Sequence, residues 1–163
     1  MRRYPACFLL MLVLVFGASA DSGQTDNIRS SRSFGLSLNV GGAVFGGLSM
    51  DLFATPRLNL ELAAGLGVAG GLRYHWNGSD PAVRWSPYLG GCFGMIPDID
   101  IDIFGDGGDS GWRPNVYLPL GIHYIADSGF ALAVEGGVMH GFETDDDDSF
   151  TIPMGMVKAG WHF

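Results

Sequence analysis

The chain has 163 residues, of which 16% are charged and 26 are glycine, and its formal net charge is −8. Ordinary soluble domains carry roughly 25% charged residues, and the absence of any basic patch excludes a nucleic-acid-binding role. Beyond residue 20 no stretch approaches about 18 consecutive apolar residues, which excludes a transmembrane helix.

The first twenty residues read as an export signal. Arg2 and Arg3 form a positive start, Phe8 to Phe16 an apolar core, and Ala18-Ser19-Ala20 a small-residue cleavage site before Asp21. That core is shorter than the about 20 residues a spanning helix needs. Cys7 precedes it, where a lipoprotein cysteine would have to follow. Cleavage leaves Asp21 to Phe163, enough for one domain, and makes Cys92 the sole cysteine, with no intrachain partner. A small buried side chain is the expected role for Cys92. The expected organisation is a signal peptide over 1–20, a short periplasmic segment over 21–32 and a β-domain over 33–163.

Alternation with a period of two then marks eight strands. In chain order these are Phe34-x-Leu36-x-Leu38-x-Val40, Leu48-x-Met50-x-Leu52, Leu58 through Leu66, Leu72-x-Tyr74-x-Trp76, and Val83-x-Trp85 onward to Leu89 and Phe93. The last three are Val116 through Tyr124, Phe130 through Val138, and Val157-x-Ala159-x-Trp161-x-Phe163. The intervening positions are small or polar, and every strand-borne charge lies among them. An apolar, glycine-rich chain whose strands alternate in this way predicts an all-β, antiparallel up-and-down transmembrane barrel, apolar toward lipid and polar toward the lumen. A soluble β-protein would bury the apolar face instead.

The breaks between strands are of two kinds. Thr55-Pro56-Arg57, Asn77 to Pro81 and Ala126 to Gly129 are compact turns, and they follow strands two, four and six. The other breaks follow odd-numbered strands and include Asp98 to Asp109 and Glu143 to Asp148, which hold ten of the seventeen acidic residues. With the amino terminus on the periplasmic side, every tight turn is periplasmic and both acidic segments are external, as in outer-membrane barrels. Tyr74, Trp76, Trp85, Tyr124, Phe130, Trp161 and Phe163 then gather at the periplasmic strand ends, where an aromatic girdle belongs.

The final strand, Val157-Lys158-Ala159-Gly160-Trp161-His162-Phe163, alternates and ends in phenylalanine. On this strand and on its architecture the chain resembles the small eight-stranded outer-membrane barrels of the OmpA transmembrane domain, OmpX, NspA and OmpW types. The resemblance implies residence in the bacterial outer membrane, with its lipids as surroundings. It also implies that Trp161 and Phe163 act as the assembly signal read by the barrel-insertion machinery. An OmpW-like member would pass small hydrophobic compounds.

Hairpin arithmetic predicts charge pairs inside the barrel. Folding strands three and four about Gly67 sets Glu61 across from Arg73, and a symmetric last hairpin sets Glu135 across from Lys158. Asp51 falls near Glu61 across the first tight turn, and Arg84 near His75 across the second. Facing opposite charges are favourable in a sheet, and an eight-stranded barrel fills its interior with side chains, so a structural polar plug is expected; an ion path through the pairs is the sharper alternative. The oxygen-rich runs Asp98, Asp100, Asp102, Asp106 and Asp109, and Asp145, Asp146, Asp147 and Asp148, read as solvated loops. Weak binding of a divalent cation such as Ca²⁺ is their alternative role, without the EF-hand pattern. No other cofactor is expected. His140, with Glu143 nearby and Ser149 as the nearest serine, lacks the arrangement of a nucleophilic triad, so no enzymatic activity is expected. Three function classes follow: a structural or surface-exposed barrel with a plugged lumen, whose partner would be a host surface or a small hydrophobic ligand; a narrow channel for small solutes; and, third, a lipid-modifying membrane enzyme.

Overall fold

A computed structural model describes residues 27–97, 111–142 and 149–163. Both acidic segments lie outside the described residues, so the divalent-cation expectation for Asp98, Asp100, Asp102, Asp106, Asp109 and Asp145 to Asp148 falls there too. The described chain forms eight antiparallel strands, each paired with its sequence neighbours. They are β1 (Phe34–Gly41), β2 (Gly46–Thr55), β3 (Leu58–Gly65), β4 (Val68–His75), β5 (Trp85–Pro97), β6 (Trp112–Ile125), β7 (Phe130–Gly141) and β8 (Phe150–His162). β8 returns to pair with β1, closing the sheet. The architecture is the up-and-down eight-stranded barrel that the alternation predicts. We call the end where β1 starts and β8 finishes the terminal end, and the opposite end the far end.

The side chains sort by face in the inverted sense. Leu36, Leu38, Val40, Leu48, Leu118, Leu120 and Val157 point out of the barrel and are exposed. Asp51, Glu61, Arg73, Glu135 and Lys158 point in and are buried. With no edge left unpaired, the backbone is satisfied within the sheet, and only the faces remain to be matched to their surroundings.

Two registers differ from the hairpin arithmetic. Glu61 stands opposite Gly71, while Arg73 stands opposite Asn59. Glu135 stands opposite Met156, and Lys158 opposite Ala133. Each is a slip of two residues, because the turn centre moves by one; the β3–β4 turn, for example, closes with Gly65 N–H donating to the Gly67 carbonyl. A two-residue slip leaves every side chain on its predicted face, whereas a one-residue slip would turn the strand inside out. Asp51 and Glu61 are direct cross-strand neighbours, in agreement with the reading of the first turn.

The largest difference in extent is β8, which begins at Phe150 rather than Val157. Its early inward positions are Phe150, Ile152 and Met154, which pack on a buried cluster of Ala43, Cys92, Tyr117 and Met139. The outward positions there are Thr151, Pro153 and Gly155, so the apolar residues switch from the outward to the inward face, and a reading that follows the outward apolar phase back from Val157 stops before the start of the strand.

Two short segments leave the sheet and turn inward. The β1–β2 connection forms a single 3₁₀ turn, Gly42–Val44, with Ala43 and Val44 buried in the far end of the lumen. Gly41 (φ 89°) and Gly42 (φ 73°) occupy backbone conformations that disfavour side chains, and a Cβ on Gly41 would strike the Gly155 carbonyl. At the terminal end a one-turn helix α1 (Ile28–Ser31) is capped by Asn27, whose side chain accepts from Arg29 N–H at 2.9 Å. Ile28 packs on Phe53, Ile125 and Ala131 just inside the barrel.

Candidate functional site in the barrel lumen

The lumen is stacked in three layers between these two segments. The middle layer is ionic. Lys158 on β8 reaches across to β2 and β3, with Nζ donating to Asp51 Oδ1 and Oδ2 at 2.8 and 3.0 Å and to Glu61 Oε2 at 2.5 Å. Arg73 on β4 bonds Glu61 on one side and, across the barrel, donates from Nη2 to Glu135 Oε2 at 3.1 Å. Asn59 Nδ2 donates to Asp51 Oδ1 at 3.1 Å, and the Tyr88 hydroxyl donates to Glu135 Oε2 at 2.6 Å. The Arg73 guanidinium also lies 5.4 Å from the Tyr88 ring centroid. Buried charges are tolerated when paired and hydrogen-bonded on all sides, and every member here has at least one ionic or hydrogen-bonding partner.

The predicted pair of Glu61 with Arg73 is present, although the two residues are not directly opposite, and the predicted pair of Glu135 with Lys158 is not. Lys158 pairs with Asp51 and Glu61 rather than Glu135, and Glu135 pairs with Arg73. The arithmetic of adjacent hairpins does not reach such contacts, since both cations bridge strands that face each other through the lumen. Arg84 is not in the lumen: it lies before β5, pairs with Asp127 at 2.7 Å and donates to the Pro81 carbonyl at 2.9 Å. Its predicted neighbour His75 stands opposite Tyr88 instead. The cause is that β5 starts at Trp85, so Arg84 belongs to the turn. Within the ionic layer three carboxylates face two cations, leaving one net negative charge.

On the far side of this layer lies a cavity bordered by Asn39, Val44, Glu61, Arg73, Cys92, Tyr117, Glu135 and Met156, with free space of about 10 Å³, room for one water. Cys92 is buried and unpaired in a disulfide, as its sequence context predicts. Beyond it the apolar far layer and Val44 fill the bore, and Arg113, buried and lumen-facing, lies 5.4 Å from the Phe150 ring. Arg113 was not among the predicted site residues, although its odd position on β6 places it on the inward face with Asn115 and Tyr117.

The layer on the terminal side is aromatic. Phe53 sits between His75, His123 and His162, with ring centroids 5.2, 6.1 and 5.7 Å away, and His123 lies 5.7 Å from His75 and 5.3 Å from His162. Neither ring nitrogen of His75 has a hydrogen-bond partner among the described residues, nor does Nε2 of His162. Over this layer lies Arg29, fully buried, donating from Nη1 and Nη2 to the Val83 and Arg84 carbonyls at 3.1 Å each. Burial, and next the nearby charge of Arg84, push the Arg29 guanidinium down to about 10. Sequence reasoning missed Arg29 because it precedes the first alternating segment, and no periodicity marks a residue that folds back into a barrel.

Outside the barrel, aromatic rings band the terminal end. Trp85 lies 4.7 Å from Tyr124 with the rings tilted, Phe130 meets Trp161 edge-on at 5.7 Å, and Phe34 lies 6.4 Å from Phe163. Trp161 Nε1 donates to the Ser128 carbonyl at 3.0 Å, and Phe163 N–H donates to the Phe34 carbonyl at 2.7 Å. At the far end His140 Nδ1 lies 2.8 Å from the Thr151 hydroxyl, its cross-strand neighbour, rather than beside Ser149. Among the described residues no group of three or more His, Cys, Asp or Glu side chains is arranged to hold a metal ion.

Among solved structures the chain is similar to the N-terminal β-barrel domain of Pseudomonas aeruginosa OprF, with a TM-score of 0.54 and 17% sequence identity. The similarity covers 81% of this chain and 98% of that one. At that identity the likeness is one of fold. No protein-family model matches the chain, and no curated protein matches it in sequence.

Proposed function

We propose that this chain is an outer-membrane barrel with a plugged lumen, serving a structural or surface-exposed role. The observation that carries the reading is the inversion of the faces. A closed barrel buries the charged side chains of Asp51, Glu61, Arg73, Arg113, Glu135 and Lys158 inside while leaving Leu38, Val40, Leu48 and Leu120 between 61% and 75% exposed outside. In water such a surface would aggregate; in lipid it is the stable arrangement, with aromatic rings at the headgroup level. The plugged state is supported by the three filled layers, by Val44 at one end and Arg29 at the other, and by a central cavity with room for one water. A path for small hydrophobic solutes would need a bore that these layers do not leave.

In this reading the terminal end faces the periplasm, the acidic segments face the exterior, and residues 1–20 are removed on export. Trp161 and Phe163 are read by the insertion machinery. Fractionation tests the proposal: the protein should sediment with outer membranes and migrate at a different apparent size on gels when unheated. Recovery as a soluble periplasmic monomer would contradict it.

A further inference from the structure

Residues Asn27 to Ser33 do not belong to the sheet, yet they close one end of it. Asn27 Nδ2 donates to the Gly78 carbonyl at 2.8 Å, Arg29 donates to the Val83 and Arg84 carbonyls, and Arg32 donates from Nη2 to the Asp127 carbonyl at 2.7 Å and from Nη1 to the His162 carbonyl at 3.3 Å. These acceptors come from the β4–β5 connection, the β6–β7 turn and the end of β8, so the segment ties together separate parts of the terminal rim. One side chain, Ile28, enters the apolar cluster below, and one backbone bond, Phe53 N–H to the Ser33 carbonyl at 2.8 Å, joins the segment to β2.

Arg29 sets this segment apart from an ordinary leader into a strand. Its guanidinium is buried, its Nε has no hydrogen-bond partner, and no carboxylate pairs with it among the described residues. The segment also meets the histidine layer directly, with the Arg32 carbonyl 3.2 Å from His162 Nδ1. An unpaired buried cation is costly unless opposite charge lies nearby. The ionic layer on the other side of the histidines carries one surplus negative charge, and in a low-dielectric lumen such an attraction acts over a long range.

We propose that Asn27–Ser33 is a plug of the terminal mouth, seated by Arg29, and that its release opens the histidine layer to water and small cations while the ionic layer keeps the barrel closed beyond. The inference rests on the plugged-barrel reading and adds a second, separate closure. The seat is made mainly from polar bonds to turn carbonyls, which water replaces when the segment lifts, whereas strand pairing would be lost without replacement. The orphaned nitrogens of His75 and His162 mark the layer behind the plug as a place where water or a donor would find partners.

Ser86 reports on that layer. It is fully buried, stands opposite His123, and its hydroxyl donates to Asn77 Oδ1 at 2.6 Å. The experiment uses the mature chain, with Cys92→Ala and Ser86→Cys, refolded into phosphatidylcholine vesicles and treated with small cationic and anionic thiosulfonates. With the native segment the thiol should react at least tenfold more slowly than in Arg29→Met, and in that variant the cationic reagent should outpace the anionic one. Replacing residues 27–32 by a Gly-Ser linker provides a second opened form. Heat-dependent gel mobility identifies folded barrel in every sample, so failure of the barrel reading registers separately. Equal labelling rates in the parent and both folded variants would overturn the proposal, as would a parent thiol that reacts as fast as a free one.

Discussion

Replacing Lys158 by methionine tests the ionic layer most sharply. The substitution keeps much of the side-chain volume and removes the cation that holds Asp51 at 2.8 and 3.0 Å and Glu61 at 2.5 Å. Two adjacent carboxylates then share a closed interior. Removing one partner of a buried pair costs about 3–5 kcal/mol. Asp51 keeps its bond from Asn59 and Glu61 keeps Arg73, which places the loss near the lower end, about 3 kcal/mol. The assay is urea unfolding of the refolded barrel in lipid vesicles, followed by tryptophan fluorescence, within a double-mutant cycle. Coupling of Lys158→Met with Asp51→Asn should reach about 1.5–3 kcal/mol, the range for a hydrogen bond to a charged group. Coupling of Lys158→Met with Glu135→Gln should be smaller, below about 1 kcal/mol, since it is transmitted through Glu61 and Arg73. If the Glu135 coupling equals or exceeds the Asp51 coupling, Lys158 pairs within the last hairpin and the cross-lumen network is wrong.

Three further outcomes follow from the same geometry. Gly41→Val should destabilise the barrel by about 1–3 kcal/mol in the same unfolding assay, because a side chain at φ 89° is strained and meets the Gly155 carbonyl. Deleting Phe163, which removes its 2.7 Å bond to the Phe34 carbonyl at the β1–β8 closure, should lower the amount of assembled, heat-shifted protein several-fold, while a comparable change at Asp21 should not. Vesicles carrying the intact protein should swell no faster in small sugars than empty ones, since the central cavity holds about one water.

The sequence was most legible where the two faces of a strand differ in chemistry. β1 and β3 start where expected because leucines and other apolar side chains point outward against Ser37, Asn39, Asn59 and Glu61 within. It was least legible at the far end. There the lumen is filled by Met139, Phe150, Ile152 and Met154, so the apolar phase of β8 inverts, with Thr151, Pro153 and Gly155 outward, and the inward turn of Gly42–Val44 resembles an ordinary glycine-rich loop. Lumen charges within the recognised strand segments were visible as residues, because parity alone selects them; Arg113 escaped because β6 begins at Trp112, ahead of the alternation that starts at Val116. The pairing of Arg73 with Glu61 was legible because the two sit on neighbouring strands, whereas the bonds of Lys158 and of Arg73 to Glu135 were not, because they cross the bore and sequence spacing measures distance only along neighbouring strands. Arg84 illustrates the limit of parity: two residues of error in the start of β5 moved it from the turn into the lumen. Arg29 had no signal at all, since a segment that folds back into a barrel mouth need follow no period.

The claim on which the rest depends is that the barrel crosses the outer membrane with its terminal end in the periplasm. Single cysteines at Gly107, Asp146 and Ser128, each in a Cys92→Ala background, test it on intact cells with an impermeant thiol reagent. Gly107 and Asp146 lie in breaks after odd-numbered strands, and Ser128 lies in the turn between β6 and β7. The account predicts labelling at Gly107 and Asp146, and at Ser128 only after the cells are opened. Labelling of Ser128 on intact cells, with Gly107 and Asp146 protected, would contradict it.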